Sequence, residues 1–247
     1  MDFLGFVIIC VKVLVVFSAT MLTVLMMVYA ERRVSAFMQG RLGPNRVGPQ
    51  GLLQPIADGI KFLMKEDIIP AEVNKPIYLL APAMLLIPAL MTFAVIPFGS
   101  TITLFGREVP LQVADLNVGI LYILALTSIG VYGLVLAGWA SNSKYSLIGG
   151  LRSSAQLISY ELAMGLSVVS VILLAGSLKL NVIVEDQQGY LLSWNVFKQP
   201  VAFLIFLVAV YAETNRLPFD LTEAEQELVG GYHTEYSSMK FAMFFTA

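Results

Sequence analysis

The sequence has little charge, one cysteine and one histidine. Charged residues make up 13% of its 247 residues, whereas ordinary soluble domains carry roughly 25%. The single Cys10 excludes a disulfide framework and a cysteine-ligated cluster. With His233 as the one histidine, no protein-only zinc or haem site is expected. Because no glycine-rich phosphate loop follows a strand, we expect no nucleotide or nucleic acid bound to this chain.

Long apolar runs take up most of the chain, which is 57% hydrophobic with a mean hydropathy of +0.79. About 20 apolar residues are needed to cross a bilayer, and backbone polar groups in lipid must be satisfied within the segment, so the spans are expected to be helical. The predicted fold is therefore all-α: a polytopic transmembrane helical bundle in one integral membrane domain. About five full spans and the start of a sixth are predicted near residues 3–30, 77–98, 118–140, 155–178, 199–214 and 236–247. Since the sixth run is cut off at Ala247 without a stop signal, we expect the sequence to be C-terminally truncated.

Residues 52–65 show a different, amphipathic pattern. At roughly 100° per residue, one arc is apolar and the opposite arc is polar. The apolar arc holds Leu52, Leu53, Ile56, Ile60, Leu63 and Met64, and the polar arc holds Gln54, Asp58, Lys61 and Lys65. The pattern predicts an interfacial helix. Two Gly-Pro pairs in the preceding RLGPNRVGPQG predict a compact turn.

The distribution of lysine and arginine predicts the orientation. The first, third and fifth loops hold ten of these residues and the alternate loops hold three. By the positive-inside rule, the N-terminus lies outside and the odd-numbered loops are cytoplasmic. The amphipathic helix and the acidic segment, residues 213–235, are then both cytoplasmic.

The acidic segment lies between the last two apolar runs. Its carboxyls are Glu213, Asp220, Glu223, Glu225, Glu227 and Glu235. Like charges at this spacing repel one another, so part of the cluster is expected to hold protons near neutral pH. Apolar neighbours such as Leu221 and Leu228 favour packing over solvation. The segment predicts proton-handling machinery, with a solvated acidic loop as the alternative.

Glu161 is the one acidic residue within the predicted fourth span. An ionised carboxylate at membrane depth is costly, so Glu161 should be protonated, paired or facing water. We interpret it as a proton-relay residue, against the alternative of a static hydrogen bond to a neighbouring helix. The same reasoning applies to Glu213 at the end of the short fifth run. Lys12 is a further candidate, with pairing to a partner protein as its alternative.

Polar residues around the first loop suggest a ligand opening. Arg32, Gln54 and Asp58 are hypothesised to border an entrance for an amphiphilic ligand. The alternative is that Arg32, Arg33, Arg41 and Arg46 only set the orientation of the chain in the membrane and bind lipid headgroups. His233 remains unassigned.

Three segments resemble a known family: AERRVSAFMQGRLGPNRVGPQGLLQPIADGIKFLMKED at 30–67, GWASNSKYSLIGGLRSSAQLISYEL at 138–162 and ETNRLPFDLTEAEQELVGGYHTEYSSMKFAMFF at 213–245. They are similar to the heel subunit, the quinone-binding membrane subunit, of bacterial respiratory complex I, the proton-pumping NADH:quinone oxidoreductase. The resemblance implies a membrane protein that forms part of a quinone tunnel and couples quinone reduction to proton translocation. Quinone is then the substrate, and NADH, FMN and iron-sulfur clusters belong to partner subunits.

The resemblance also implies roles by motif position. Arg32, Arg41, Gln54 and Asp58 would border the tunnel, Glu225 and Glu227 would lie between tunnel and membrane, and Glu161, Glu213, Glu223 and Glu235 would continue the charged path. One departure is TSIGVYG, where some relatives carry a carboxylate and this sequence has Ile129 and Gly130. No relay step is assigned there.

The implied partners are peripheral-arm subunits on the cytoplasmic loops, antiporter-like and small membrane subunits alongside, and lipid. The implied location is the bacterial inner membrane. Two alternatives remain. The resemblance leaves open the first, the equivalent subunit of a membrane-bound hydrogenase or other dehydrogenase. The other is a non-redox ion transporter, for which internal repeats are expected and none is found.

Overall fold

The computed structural model describes residues 3–104, 106–216, 218–220 and 229–246. These residues form two compact units. The first unit comprises the chain up to Ile68 together with Tyr236–Thr246, and the second comprises Ile69–Glu235.

Three helices make up the first unit: α1 Phe3–Met38, α2 Gln54–Met64 and a C-terminal helix, α9, Ser238–Thr246. Helix α1 continues past Ala30, where the apolar run ends, because the Glu-Arg-Arg that follows consists of good helix formers. Ala36 is the one buried residue of α1. A helix that is apolar on all sides and exposed suits a lipid or partner surface.

A compact turn joins α1 to α2, as the two Gly-Pro pairs predict. Gly51 has a φ of 79°, and a Cβ there would lie 2.1 Å from the carbonyl oxygen of Pro44, so the position requires glycine. The Tyr29 hydroxyl and the Arg33 guanidinium donate hydrogen bonds to the carbonyl of Gln50, at 2.9 and 3.1 Å. These bonds tie the turn to α1.

Helix α9 packs on α2 through aromatic side chains. The rings of Phe62 and Phe241 have centroids 6.1 Å apart. Within the chain around α9, Tyr236 and Phe244 meet edge to face at 4.7 Å.

The helices of the second unit are α3 Lys75–Thr92, α4 Gly119–Ala140, α5 Lys144–Ala175, α6 Leu180–Glu185, α7 Asn195–Lys198 and α8 Pro200–Glu213. Its long helices form a row in which α3 packs on α4, α4 on α5 and α5 on α8. Small residues allow close contact: a Cβ on Gly138 of α4 would lie 2.5 Å from the carbonyl oxygen of Ser146 on α5. Such small-residue contacts are typical of membrane helix pairs.

An antiparallel hairpin, which the sequence patterns did not predict, follows α3. Strands β1 Thr101–Leu104 and β2 Arg107–Pro110 pair with Thr101 opposite Pro110. Gly106 lies in the turn with a φ of 74°, a conformation that favours glycine.

Among the described residues, four helices are long and apolar enough to cross a membrane: α1, α3 with the turn that follows it, α4 and α5. The predicted all-α membrane class is therefore confirmed. Helix α8 is shorter: its 14 residues extend about 21 Å, against a hydrocarbon core of about 30 Å. Helix α5 begins at Lys144, whereas the apolar run used to predict the fourth span begins at residue 155. Glu161 consequently lies near the middle of its helix and not close to its start.

Candidate functional site

Glu161 on α5 faces two hydroxyl groups of α4. Ser128 Oγ and Thr127 Oγ1 lie 2.5 and 3.1 Å from Glu161 Oε1. All three side chains are half-buried. The carboxyl of Glu161 is therefore bound between two membrane-length helices.

The hydroxyl pair can serve either protonation state of Glu161. Each hydroxyl oxygen also lies 2.9 Å from the carbonyl oxygen of Leu124, yet each carries a single hydrogen. An ionised Glu161 accepts those hydrogens. A protonated Glu161 donates to a hydroxyl oxygen, and that hydroxyl turns its own hydrogen to Leu124. The same heavy-atom positions thus suit a carboxyl that gains and loses a proton.

Glu213 is the last residue of α8, which packs on α5. Its side chain is half-buried. Two carboxyls predicted separately from the sequence thus lie on helices that pack against each other.

Gln156, one turn and a half before Glu161, holds the chain that follows Glu213. Its Nε2 donates to the carbonyl of Phe219 at 2.9 Å and lies 3.3 Å from Asn215 Oδ1 and 3.4 Å from the carbonyl of Ala212. The ring of Phe219 meets Tyr160 of α5 edge to face at 5.4 Å. The start of the acidic segment is therefore folded back onto α5.

Glu235, at the end of the acidic segment, is fixed through its backbone. The hydroxyl of Tyr78, which is fully buried on α3, donates to the Glu235 carbonyl at 2.7 Å. The Glu235 side chain is half-buried. Both described ends of the segment are thus attached to helices of the second unit.

Three of the four predicted tunnel residues form a polar cluster in the first unit. Asp58 on α2 forms an ion pair with Arg32 of α1 and accepts a hydrogen bond from Gln54 Nε2 at 3.2 Å. The Asp58 side chain is 24% exposed, so it is partly withdrawn from solvent. Arg41 is exposed and instead donates to Gln39 Oε1 at 2.7 Å; among the described residues it makes no contact with this cluster.

The remaining predicted acids, Glu223, Glu225 and Glu227, lie outside the described residues. Their roles stay predictions.

Thr127, Ser128 and Gln156 are site residues that the sequence patterns did not identify. The available signal was the pair of adjacent hydroxyl residues in TSIGVYG, within a span that carries no charge. That segment drew attention only for the carboxylate that it lacks. A pair of hydroxyls opposite a carboxyl provides the polar partners instead.

A groove of about 680 Å³ also lies on α5 and the start of α8. Its lining is mostly apolar, including Leu166, Val201 and Ile205, with Ser170 and Gln199 as polar members. None of the predicted site residues lines it.

The sequence model of the NADH dehydrogenase family matches residues 11–247. The chain is 60% identical to the first of two H-type NADH-quinone oxidoreductase subunits of Geobacter metallireducens over 234 residues, covering 95% of this chain and 70% of that protein. It is also 60% identical to the second H-type protein of the same organism, over 96% of this chain and 71% of that protein. NADH-quinone oxidoreductase subunit 8 of Rhodothermus marinus is 61% identical, over 94% of this chain and 66% of its own length.

These matches confirm the resemblance found in the motifs, because identity of this level over nearly the whole chain extends well beyond three segments. The chain belongs to the NADH dehydrogenase family, as an H-type membrane subunit of NADH-quinone oxidoreductase.

Proposed function

We propose that this chain forms the membrane part of a quinone-binding tunnel and couples quinone reduction to proton translocation through a relay of carboxyl groups. The observation that carries the proposal is Glu161, bound by Thr127 and Ser128 between two membrane-length helices on a helix that packs against α8, which ends at Glu213. Ionisable residues at membrane depth are rare and mark proton or ion pathways.

The quinone side of the proposal rests on α2 and its neighbour α1. A quinone has a polar headgroup and a long apolar tail, so its binding site needs a few placed polar groups within an apolar lining. Helix α2 provides an apolar arc together with Gln54 and Asp58, and Arg32 of α1 completes the polar cluster. We assign these three residues to the tunnel border. Arg41 is proposed to act at the entrance, apart from the cluster.

The proton side follows from the chemistry of quinone reduction. Two electrons and two protons convert a quinone to a quinol. Negative charge on a headgroup that has received electrons but not yet protons favours the protonated form of nearby carboxyls. We assign this first response to Glu225 and Glu227.

The response then continues into the membrane. Glu223 and Glu235 pass the change to Glu213 at the end of α8, and from there it reaches Glu161 on α5, the helix that packs against α8. The acidic segment is the element proposed to rearrange between the two states. Antiporter-like partner subunits would receive the change beyond Glu161.

Within the assembled enzyme, peripheral subunits that carry FMN and iron-sulfur clusters are proposed to dock on the cytoplasmic loops and deliver the electrons. The excess of lysine and arginine in the odd-numbered loops supports a multi-pass arrangement in the bacterial inner membrane, with the N-terminus outside.

Isosteric replacement in the intact complex tests the relay. Glu161→Gln and Glu213→Gln each remove a titratable group and keep its size. In proteoliposomes we expect lower NADH:quinone turnover, a lower proton-to-electron ratio, or both. Glu185→Gln, on an exposed residue at the end of α6, is the matched control and should change neither. Full turnover with an unchanged ratio in both relay variants would remove the relay from the proposal.

A further inference from the structure

A cluster of contacts in the first unit ties the start of α9 to the carboxyl end of α2. Ser238 Oγ lies 2.8 Å from the carbonyl oxygen of Phe62 and 3.0 Å from that of Lys65. Carbonyls in the last turn of a helix have no donor within the helix. The hydroxyl of Ser238 therefore caps α2 from a segment more than 170 residues further along the chain.

Two further contacts extend this attachment. Ser237 Oγ accepts a hydrogen bond from the backbone N–H of Ile68 at 3.0 Å. Lys240 Nζ forms an ion pair with Asp67 at 2.8 Å. Lys240 is 9% exposed, so its ammonium group needs an anionic partner in the fold. Positive charge near the carboxyl end of α2 is also favourable to the helix dipole.

The backbone of Ser238 shows that the attachment is specific. Its φ is 55°, in the left-handed region that residues other than glycine rarely adopt. Such a conformation persists where surrounding contacts hold it. Here the carbonyls of Phe62 in α2 and of Lys65, directly after it, provide them.

Helix α2 depends on contacts near its middle and at its carboxyl end. It has 11 residues, and isolated helices shorter than about 12–15 residues are marginal in water. Near its middle, the ion pair of Asp58 with Arg32 connects it to α1. At its carboxyl end, Ser238 contacts Phe62, while Ser237 and Lys240 hold Ile68 and Asp67, just after the helix.

We propose that Ser237, Ser238 and Lys240 form a clamp that positions α2, and with it Asp58 and Gln54, for quinone binding. The inference rests on the proposed tunnel role of α2. The clamp residues are positioning residues, because the contacts on which the clamp rests are with Phe62 at the end of α2 and with residues 65–68, which follow it. Loosening the clamp lets α2 tilt about its contact with α1, which moves the polar cluster while leaving its side chains intact.

The test uses the intact complex with three variants. Ser238→Ala removes the cap, Lys240→Met removes the ion pair, and Lys240→Arg keeps the charge. Lys61→Met is the matched control, because Lys61 is exposed on α2 and forms no ion pair among the described residues. Ser238→Ala keeps the test available should Lys240→Met fail to assemble.

Two measurements are made on each variant. Hydrogen–deuterium exchange of residues 62–68 reports whether the clamp holds α2, and steady-state kinetics with a short-chain quinone separates KM from kcat. For Ser238→Ala and Lys240→Met we expect faster exchange and a KM raised about fivefold or more, with a much smaller change in kcat. Lys240→Arg should keep the exchange rate and the KM close to their wild-type values, and Lys61→Met should match the wild type in both.

Asp58→Asn, measured in parallel, separates this inference from the proposed function. If Asp58→Asn raises KM while the clamp variants exchange faster at an unchanged KM, the clamp does not position the site and the tunnel assignment stands. Unchanged exchange in the clamp variants overturns the clamp itself. If Asp58→Asn leaves the KM for quinone unaltered, the tunnel assignment fails, and the clamp inference fails with it.

Discussion

Gly149 on α5 lies directly against Gly231, which follows the acidic segment's central acids. A Cβ on Gly149 would lie 2.6 Å from the Cα of Gly231, a distance that real Cβ atoms do not reach. Gly231 itself has a φ of 66°, and its neighbour Gly230 has a φ of 145°. Gly230 and Gly231 thus allow a sharp bend and a direct contact between two backbones.

Gly149→Ala should destabilise the protein, because the methyl group meets backbone atoms that cannot rotate away. Overpacking of this kind costs typically about 1–3 kcal/mol, and the better helix propensity of alanine offsets at most about 1 kcal/mol. The measurement is the thermal stability of the purified complex and the amount of assembled complex in membranes.

Gly165→Ala on the same helix is the control for this substitution. A Cβ there meets nothing within 4 Å, so the variant should be as stable as the wild type or slightly more stable. Equal behaviour of the two alanine variants would contradict the close contact with Gly231.

Ser128→Ala should impair turnover more than Thr127→Val. The Ser128 hydroxyl is nearer to Glu161, at 2.5 against 3.1 Å. Hydrogen bonds to charged groups contribute about 1.5–3 kcal/mol, so we expect a loss of at least about tenfold in NADH:quinone turnover for Ser128→Ala. Ser159→Ala is the control, because that hydroxyl donates to Ala155 of its own helix. Wild-type turnover in both α4 variants would show that the hydroxyl pair does not serve Glu161.

Arg32→Gln and Asp58→Asn should each raise the KM for quinone, and the double variant should be less impaired than the sum of the two. The reason is that the two side chains form one ion pair, so removing the second partner removes little more. Asp186→Asn is the control, since it breaks the Asp186–Lys198 pair elsewhere in the chain. Strictly additive effects on log KM would mean that the pair does not act as a unit at the quinone site.

Gln156→Leu should loosen the attachment of the acidic segment to α5. The substitution removes the donor to the Phe219 carbonyl and leaves that acceptor without its hydrogen bond, which costs about 1–3 kcal/mol. We expect faster hydrogen–deuterium exchange across residues 213–220 and a lower proton-to-electron ratio. Gln188→Leu, at an exposed loop residue, should alter neither. Unchanged exchange in Gln156→Leu would argue against this attachment.

Sequence patterns predicted the elements that are determined by residues close together in the sequence. Apolar runs predicted the membrane-length helices, the amphipathic arc predicted α2, and two Gly-Pro pairs predicted the turn before it. The polar start of α5 was missed because lysine and arginine end an apolar run without ending a helix: Lys144 and Arg152 both lie within α5. The hairpin at 101–110 was missed because its four-residue strands carry too short a pattern to identify.

Local sequence patterns could not predict the contacts that define the site, because these contacts join residues far apart in the sequence. Ser128 and Glu161 are 33 positions apart, and Ser238 and Phe62 are 176 apart. Which side chain meets which depends on how the helices rotate about their own axes, and that rotation is set by tertiary packing. The sequence therefore identified Glu161, Glu213 and Asp58 as chemically unusual. It did not identify the residues that contact or position them, which are the two hydroxyl residues of α4, Gln156 and the proposed clamp.

Redox-induced infrared difference spectroscopy of the intact complex tests the central claim most directly, because it detects protonation of individual carboxyl groups. Reduction of the bound quinone should produce a difference band in the carbonyl-stretching region of protonated carboxyls. The account predicts that this band loses intensity in both Glu161→Gln and Glu213→Gln and remains in Glu185→Gln. An identical band in all three variants would contradict the claim that these membrane carboxyls titrate when the quinone is reduced.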